Sequence, residues 1–331
     1  MGMKILENIP LAPLTTLHIG GPARYFAEAT NELELLRALD FARVETLPIF
    51  ILGGGSNVLV SDKGFDGLVI RPIFLGRELL TSDVQGSPTS DVGVRVRIGA
   101  GENLDEVIAW TVERGWWGLE NLSFIPGLVG ALAIQNVGAY GQEAAHVIES
   151  VHVFDTERRT SKVLDNNECR FEYRHSIFNT NQRGRYVILR IILKLRNNRT
   201  ANLSYKDLQN YFADKVPTQK EIRQAVIEIR TKKGQDPNEV WSAGSFFKNF
   251  VVSDNEGNEY KISAGDILDK RLGLKGLQVG GAKLSEKQVL NLINTGNATA
   301  EDCLGLFHKV RNIVKEKTSL ELIPEPEFVG F

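Results

Sequence analysis

The chain has 331 residues, of which 42% are hydrophobic and 24% charged, and its formal net charge is -2. That length exceeds one ordinary core and points to two or three domains, while the near-neutral balance excludes the basic footprint of a nucleic-acid binder. Cys169, Cys303 and the five histidines (His18, His146, His152, His175 and His308) form no cluster with metal-ligand spacing, so no metal site is expected.

Asn31 to Ala42 carries a helix start and an apolar stripe at Leu33, Leu36 and Leu39. Pro48 to Leu52, Val58 to Val60 and Gly67 to Ile70 read as short strands around a glycine loop. Val92 to Ile98 alternates apolar and charged residues with a period of two, as a half-buried strand does. Leu104 to Arg114 reads as a helix stopped by Gly115. The most apolar run, Phe124 to Ile134, is broken by Pro126, Gly127 and Gly130, so no membrane span is expected. Strands return at Glu149 to Phe154 and Tyr186 to Leu195, followed by a polar boundary at Arg196 to Arg199. Helices are expected at Gln219 to Arg230, Glu286 to Thr295 and Ala300 to Lys317, before a short apolar tail from Leu320 to Phe331. The fold class is α+β, with strands too frequent for a simple βαβ repeat. Two isolated cysteines fit a reducing compartment, and the expected location is the cytoplasm.

Five segments carry chemistry. Gly53-Gly54-Gly55-Ser56-Asn57 is either a tight turn between strands or a nest of backbone N–H groups for an anion such as a pyrophosphate. It is not a Rossmann fingerprint, because Val58 stands where the third glycine belongs and a strand follows. Gly118 to Glu143 is rich in glycine and poor in charge, which suits a buried packing loop, a backbone-lined ligand cleft, or both. Arg170 and Arg174, set among aromatics, are alternative partners for a carboxylate or phosphate. Ser245 in SAGSFFKNF lacks a nucleophile elbow, so it is a turn cap or a polar group presented with Lys248 and Asn249. In IPEPEF, Pro326 stiffens the chain between Glu325 and Glu327, whose carboxylates serve solubility or point into a cleft.

Together these segments resemble the UDP-N-acetylenolpyruvoylglucosamine reductase family over nearly the whole chain. The resemblance rests on PIFILGGGSNVLVSD, GWWGLENLSFIPGLVGALAIQNVGAYGQE, ECRFEYRHSIF, LSYKDL, AGSFFKN, LKGLQVGGA and IPEPEF, in order and with compatible spacing. LSYKDL with GAYGQE resembles the subclass whose substrate-capping loop carries a tyrosine. The family implies a two-lobed FAD-binding region of the vanillyl-alcohol-oxidase type, residues 1–72 and 73–198, and an α+β UDP-sugar domain at 199–331. It also implies a monomer acting on small molecules, with non-covalent FAD and with NADPH as hydride donor. Hydride passes through FAD to the enolpyruvyl carbon of the UDP-sugar, and a proton is added at the neighbouring carbon.

By the same resemblance, Gly53, Gly54, Gly55, Ser56, Asn57, Val58 and Leu59 meet the FAD pyrophosphate. Pro126, Gly127, Gly130, Gln135, Asn136, Gly138 and Tyr140 line the adenine-to-flavin path. Ser245 is the proton donor, and Arg174 and Glu327 bind and polarise the enolpyruvyl carboxylate. Tyr205, Lys233, Asn249 and Gln278 contact the diphosphate and sugar, with Lys232 as the neighbouring alternative to Lys233. The chain departs from many relatives at Ala133 and Phe250, where they carry proline. Two other readings remain: an FAD-dependent oxidase of the same fold, and a non-catalytic UDP-sugar sensor.

Overall fold

The computed structural model describes residues 3–81, 93–198, 201–253 and 256–331. Val92 and Arg199, named above in a strand and a boundary, lie outside the described residues. The chain forms two compact units. The first is Met1–Leu6, Tyr25–Gly54 and Gly67–Ile229; the second is Glu7–Arg24, Gly55–Asp66 and Arg230–Phe331.

The first unit is built on a five-stranded antiparallel sheet. Its strands, in spatial order, are Thr160–Asp165, Ile148–Asp155, Tyr186–Leu195, Val94–Gly99 and Arg77–Thr81. The period-two pattern decides which side faces in: Val94, Val96 and Ile98 are buried, while Arg95 and Arg97 between them are half-exposed. Helix Leu104–Glu113 packs its Leu104, Val107 and Ile108 onto this core. It starts where the Asn103 side chain accepts from Glu106 N at 3.1 Å, and Gly115 follows its end at φ +70°.

A second core in this unit packs helix Glu32–Val44 near the parallel pair Ile49–Ile51 and Leu68–Ile70. Asn31 caps this helix, accepting from Glu34 N at 3.0 Å. The expected stripe is shifted. Leu33 is 57% exposed, and the buried arc is Leu35, Ala38, Leu39 and Ala42. That arc follows i, i+3, i+4, i+7, and half of it is alanine, which a search for leucines alone overlooks.

The second unit has a four-stranded sheet in the order Ser242–Ser245, Asn291–Asn294, Ala282–Leu284 and Gln278–Val279. Helix Ala300–Thr318 closes it, begun by a reciprocal capping box between Thr299 and Asp302. Its Cys303, Leu306, Phe307, Val310 and Val314 share one core with Phe246 and Phe247. The helix expected over Glu286 to Thr295 is not formed. Ser285 Oγ accepts from Lys287 N and Gln288 N at 3.3 Å each, which turns the chain into strand Asn291–Asn294. A short apolar run such as this one fits either period, and the sheet partner Ser242–Ser245 decides it.

Candidate active site

The glycine loop links strand Ile49–Ile51 to strand Val58–Val60, and the chain passes from the first unit to the second between Gly54 and Gly55. A Cβ on Gly54 would stand 2.7 Å from Gly127 Cα, so within the first unit two glycine segments touch backbone to backbone. A Cβ on Gly53 would meet nothing within 4 Å, which leaves open space over this floor. In the second unit Gly55 has φ +62°, and a Cβ there would lie 2.0 Å from Leu14 O. Ser56 is half-buried. Val58 and Leu59 turn their side chains into the protein, Leu59 into the core of the second unit, so they offer a ligand only main chain.

The segment 118–143 is a packing loop with an open side. Leu119 to Ser123, Leu132, Ala133, Asn136 and Val137 are buried, whereas Phe124 to Leu128, Gly130, Ile134, Gln135, Gly138 and Ala139 are half-exposed. Pro126, Gly127, Gly130, Gln135 and Gly138 thus fall on the accessible side. Asn136, 1% exposed, donates from Nδ2 to Glu143 Oε2 at 2.9 Å and Glu172 O at 3.0 Å. Its Oδ1 accepts from Ala145 N at 2.9 Å, so this amide holds the loop's shape.

Arg174 Nη2 donates to Gly138 O at 2.8 Å, and a Cβ on Gly138 would stand 3.2 Å from Arg174 Nη1. The missing side chain at Gly138 is what admits the guanidinium. Arg174 has φ +56° and is half-buried, while Arg170 is exposed, so Arg174 is the arginine the fold turns toward the loop. Tyr140 meets Tyr205 edge-on with ring centroids 5.2 Å apart. Tyr140 is buried among Leu208, Phe212, Ile222 and Val226, and Tyr205 remains 44% exposed.

In the second unit Ser245 ends strand Ser242–Ser245 beside a register irregularity that contains Gly244 at φ +70°. Phe246 and Phe247 are buried, and they anchor the strand's exit. The segment then runs against the tail: Glu325 N donates to Phe246 O at 2.9 Å and Lys248 N to Ile323 O at 3.0 Å. The tail is therefore a built element rather than a loose end, with Glu325 and Glu327 half-buried and Glu327–Val329 paired in parallel with Val58–Val60. Asn249 Oδ1 accepts from Ala264 N at 3.0 Å. Gln278 is exposed, with Nε2 donating to Gly280 O at 2.8 Å. Lys233 is half-buried and Lys232 exposed.

Three residues that the sequence did not single out support this arrangement. Thr16 donates from its N to Gly55 O at 3.1 Å and from Oγ1 to Ser242 O at 2.7 Å, joining the glycine loop to the strand of Ser245. Asp105 Oδ1 accepts from Phe124 N at 2.5 Å. Asn291, directly opposite Ser245 in the sheet, is fully buried, and among the described residues its side-chain amide has no hydrogen-bond partner. Their roles depend on contacts distant in sequence, and only a carboxylate in a helix's first turn gave any local signal. Among the described residues, no group of three or more His, Cys, Asp or Glu side chains could hold a metal, and no helix is long and apolar enough to cross a membrane.

Residues 236–329 match the family model described as UDP-N-acetylenolpyruvoylglucosamine reductase, C-terminal domain, and residues 23–160 match that of an FAD binding domain. The chain is 36% identical to the UDP-N-acetylenolpyruvoylglucosamine reductase of Bdellovibrio bacteriovorus, covering 98% of this chain and 99% of the relative. The protein of the same name from Cutibacterium acnes is 37% identical over 98% of this chain and 90% of its own length. Among solved structures, UDP-N-acetylenolpyruvylglucosamine reductase from Thermus caldophilus matches with a TM-score of 0.69 and 31% identity over 99% of both chains.

Proposed function

The chain belongs to the UDP-N-acetylenolpyruvoylglucosamine reductase family, and from that premise we propose that Ser245, Arg174 and Glu327 carry its chemistry. The protein is an FAD-dependent oxidoreductase of peptidoglycan precursor synthesis, which uses NADPH to reduce UDP-N-acetylglucosamine enolpyruvate to UDP-N-acetylmuramate. FAD, when bound, supplies the hydride relay between NADPH and the enolpyruvyl carbon.

The residues present suit a flavin dinucleotide. Gly53 and Gly54 against Gly127 give a floor of main chain with open space over Gly53, and backbone N–H groups in such loops favour a pyrophosphate. Ser56, Asn57 and the main chain of Val58 and Leu59, which follow in the chain, are assigned to the same pyrophosphate. Pro126, Gly127, Gly130, Gln135, Gly138 and Tyr140 border the adenine-to-flavin path, while Asn136 acts by fixing the loop.

The observation that carries the assignment of roles is the pairing of the Ser245 strand's exit with the tail of Glu325 and Glu327 in the second unit. It keeps a proton donor and a carboxylate on one rigid frame. A serine hydroxyl is a weak acid, so proton donation needs polar neighbours that stabilise the alkoxide. Lys248, three residues on in the chain, and Asn291, opposite Ser245 in the sheet, are the groups we assign to that task. Arg174 offers a guanidinium to the enolpyruvyl carboxylate, and Glu327 polarises the same group as negative charge develops. Tyr205, Lys233, Asn249 and Gln278 take the diphosphate and sugar, and the Tyr140–Tyr205 contact favours the subclass with a tyrosine-bearing cap. In this reading residues 1–72 and 73–198 are the two lobes for FAD and 199–331 the UDP-sugar domain. The enzyme works as a monomer in the cytoplasm, where its two buried cysteines stay reduced.

Anaerobic titration of the holoenzyme tests the reading. NADPH should bleach the flavin absorbance, and UDP-N-acetylglucosamine enolpyruvate should restore it without oxygen. Restoration by oxygen alone would establish an oxidase instead, and a protein that binds the UDP-sugar but no flavin would be a sensor.

A further inference from the structure

Phe124 opens the accessible stretch of the loop with φ +64°, a conformation that a bulky aromatic residue rarely adopts and that must be held from outside. What holds it is Asp105, in the first turn of helix Leu104–Glu113, whose Oδ1 accepts from Phe124 N at 2.5 Å. The same carboxylate takes a two-pronged bond from Arg223, with Nη1 to Oδ1 at 2.6 Å and Nη2 to Oδ2 at 2.8 Å. Arg223 and Asp105 are 18% and 28% exposed, so water screens this pair less than a surface one.

Each partner leads to a different part of the first unit. From Phe124 the chain reaches Gly127 in three residues. There Gly127 O accepts from Leu104 N at 3.1 Å, and Gly127 Cα forms the floor under Gly54. Arg223 lies on helix Gln219–Lys232, between Ile222 and Ala225, which pack with Leu208 and Phe212 around Tyr140. Tyr205 stands on Tyr140 and begins the helix Lys206–Phe212. A second tether lies at the start of Arg223's helix, where Gln219 Nε2 donates to Trp116 O at 2.7 Å and Glu120 Oε2 at 3.2 Å.

We propose that Asp105 and Arg223 are a positioning pair that ties the tyrosine-bearing cap to the main chain of the cofactor loop, so that affinity for FAD and for the UDP-sugar depend on one shared carboxylate. This rests on the reading of the site given above. Neither side chain touches the reacting atoms. Each acts through another group, Asp105 through Phe124 N and Arg223 through the helix behind Tyr140.

The test uses the full chain and the variants Asp105→Asn and Arg223→Lys, with Arg95→Gln as control. Arg95 forms a comparable pair with Glu149 on the central sheet of the same unit. Reconstituting each apoprotein with FAD gives a dissociation constant from flavin fluorescence, visible circular dichroism reports the flavin's surroundings, and steady state gives KM and kcat. Losing the fork should weaken FAD binding and raise the KM for UDP-N-acetylglucosamine enolpyruvate by about tenfold each, with an altered dichroism band and a smaller change in kcat. Arg95→Gln should leave all of these within twofold. Arg223→Lys keeps the charge without the fork, which separates loss of geometry from failure to fold. If either property stays within twofold of wild type while the other changes, or if both do, the pair is only a structural bridge. A wild-type protein that binds no FAD would overturn the functional reading instead.

Discussion

The backbone N–H of Glu327 donates to the carbonyl of Asn57 at 3.0 Å. Asn57 returns the contact from its side chain, with Nδ2 to Glu325 O at 3.3 Å. The end of the glycine loop and the two tail carboxylates are thus one element, registered by the parallel pairing of Glu327 with Val58. Because this junction uses the main chain of Glu327, its carboxylate can be changed without undoing the strand. Glu327→Gln should keep the melting temperature within a few degrees while slowing reoxidation of the flavin by substrate ~100-fold, the range for removing one polarising group. Calorimetry and anaerobic stopped-flow absorbance check the two halves. A large stability loss with a normal rate would make Glu327 structural.

The glycines at 53 and 54 should behave oppositely when made alanine. A methyl on Gly54 collides with Gly127 backbone at 2.7 Å, whereas one on Gly53 enters open space. Gly54→Ala should therefore destabilise the apoprotein by about 1–3 kcal/mol, as overpacking does. Gly53→Ala should leave the apoprotein's melting temperature unchanged but weaken FAD binding, because the ligand needs that space. Equal thermal losses in the two apoproteins would contradict the assignment.

Stability at low pH should turn on Asp155. Its side chain is 2% exposed, and Arg185 donates to Oδ2 from Nη2 at 2.7 Å and from Nε at 3.1 Å. The Arg185 bonds, with those from Arg158 N and Glu157 N, hold this carboxyl below its ordinary value of 3.8 despite burial. A carboxyl depressed on folding stabilises above its unfolded value, and that contribution is lost as the pH falls through the folded one. Asp155→Asn should thus lose about 3 kcal/mol at neutral pH. In urea unfolding the gap to wild type should hold down to about pH 4 and narrow only below it. A gap that shrinks between pH 8 and 6 would contradict this.

The two thiols should be silent in the native state. Cys169 and Cys303 are fully buried, and burial, helped by nearby carboxylates, pushes both up to about 12. Ellman's reagent at pH 8 should titrate neither thiol in the folded protein and both in guanidinium chloride. Rapid reaction of either one in the native protein would show that its surroundings open.

Much of this was legible in the sequence because the signals were local. Asn31 caps the helix it precedes, Gly115 follows the end of Leu104–Glu113, Val94 to Ile98 alternates as expected, and Tyr186–Leu195 is the strand expected. The misreadings came where partners are distant. Asn291–Asn294 became a strand because Ser242–Ser245 lies beside it, and the buried arc of Glu32–Val44 is half alanine. The motif residues of the site were visible as types. Their supports Thr16, Asp105, Arg223 and Asn291 were not, since a hydroxyl 226 residues from its acceptor leaves no pattern in the chain. Phe250 shows the same limit: its ring fills the core of the second unit among residues distant in sequence.

The most direct measurement separates the two half-reactions of Ser245→Ala. The holoenzyme is first reduced with NADPH under anaerobic conditions, and the reduced form is then mixed with UDP-N-acetylglucosamine enolpyruvate while flavin absorbance is followed. With Ser245 as proton donor, the rate with NADPH stays within about twofold of wild type, and the rate with the sugar substrate falls by ~10² or more. Equal loss in both steps, or a normal rate in the second, would contradict the account.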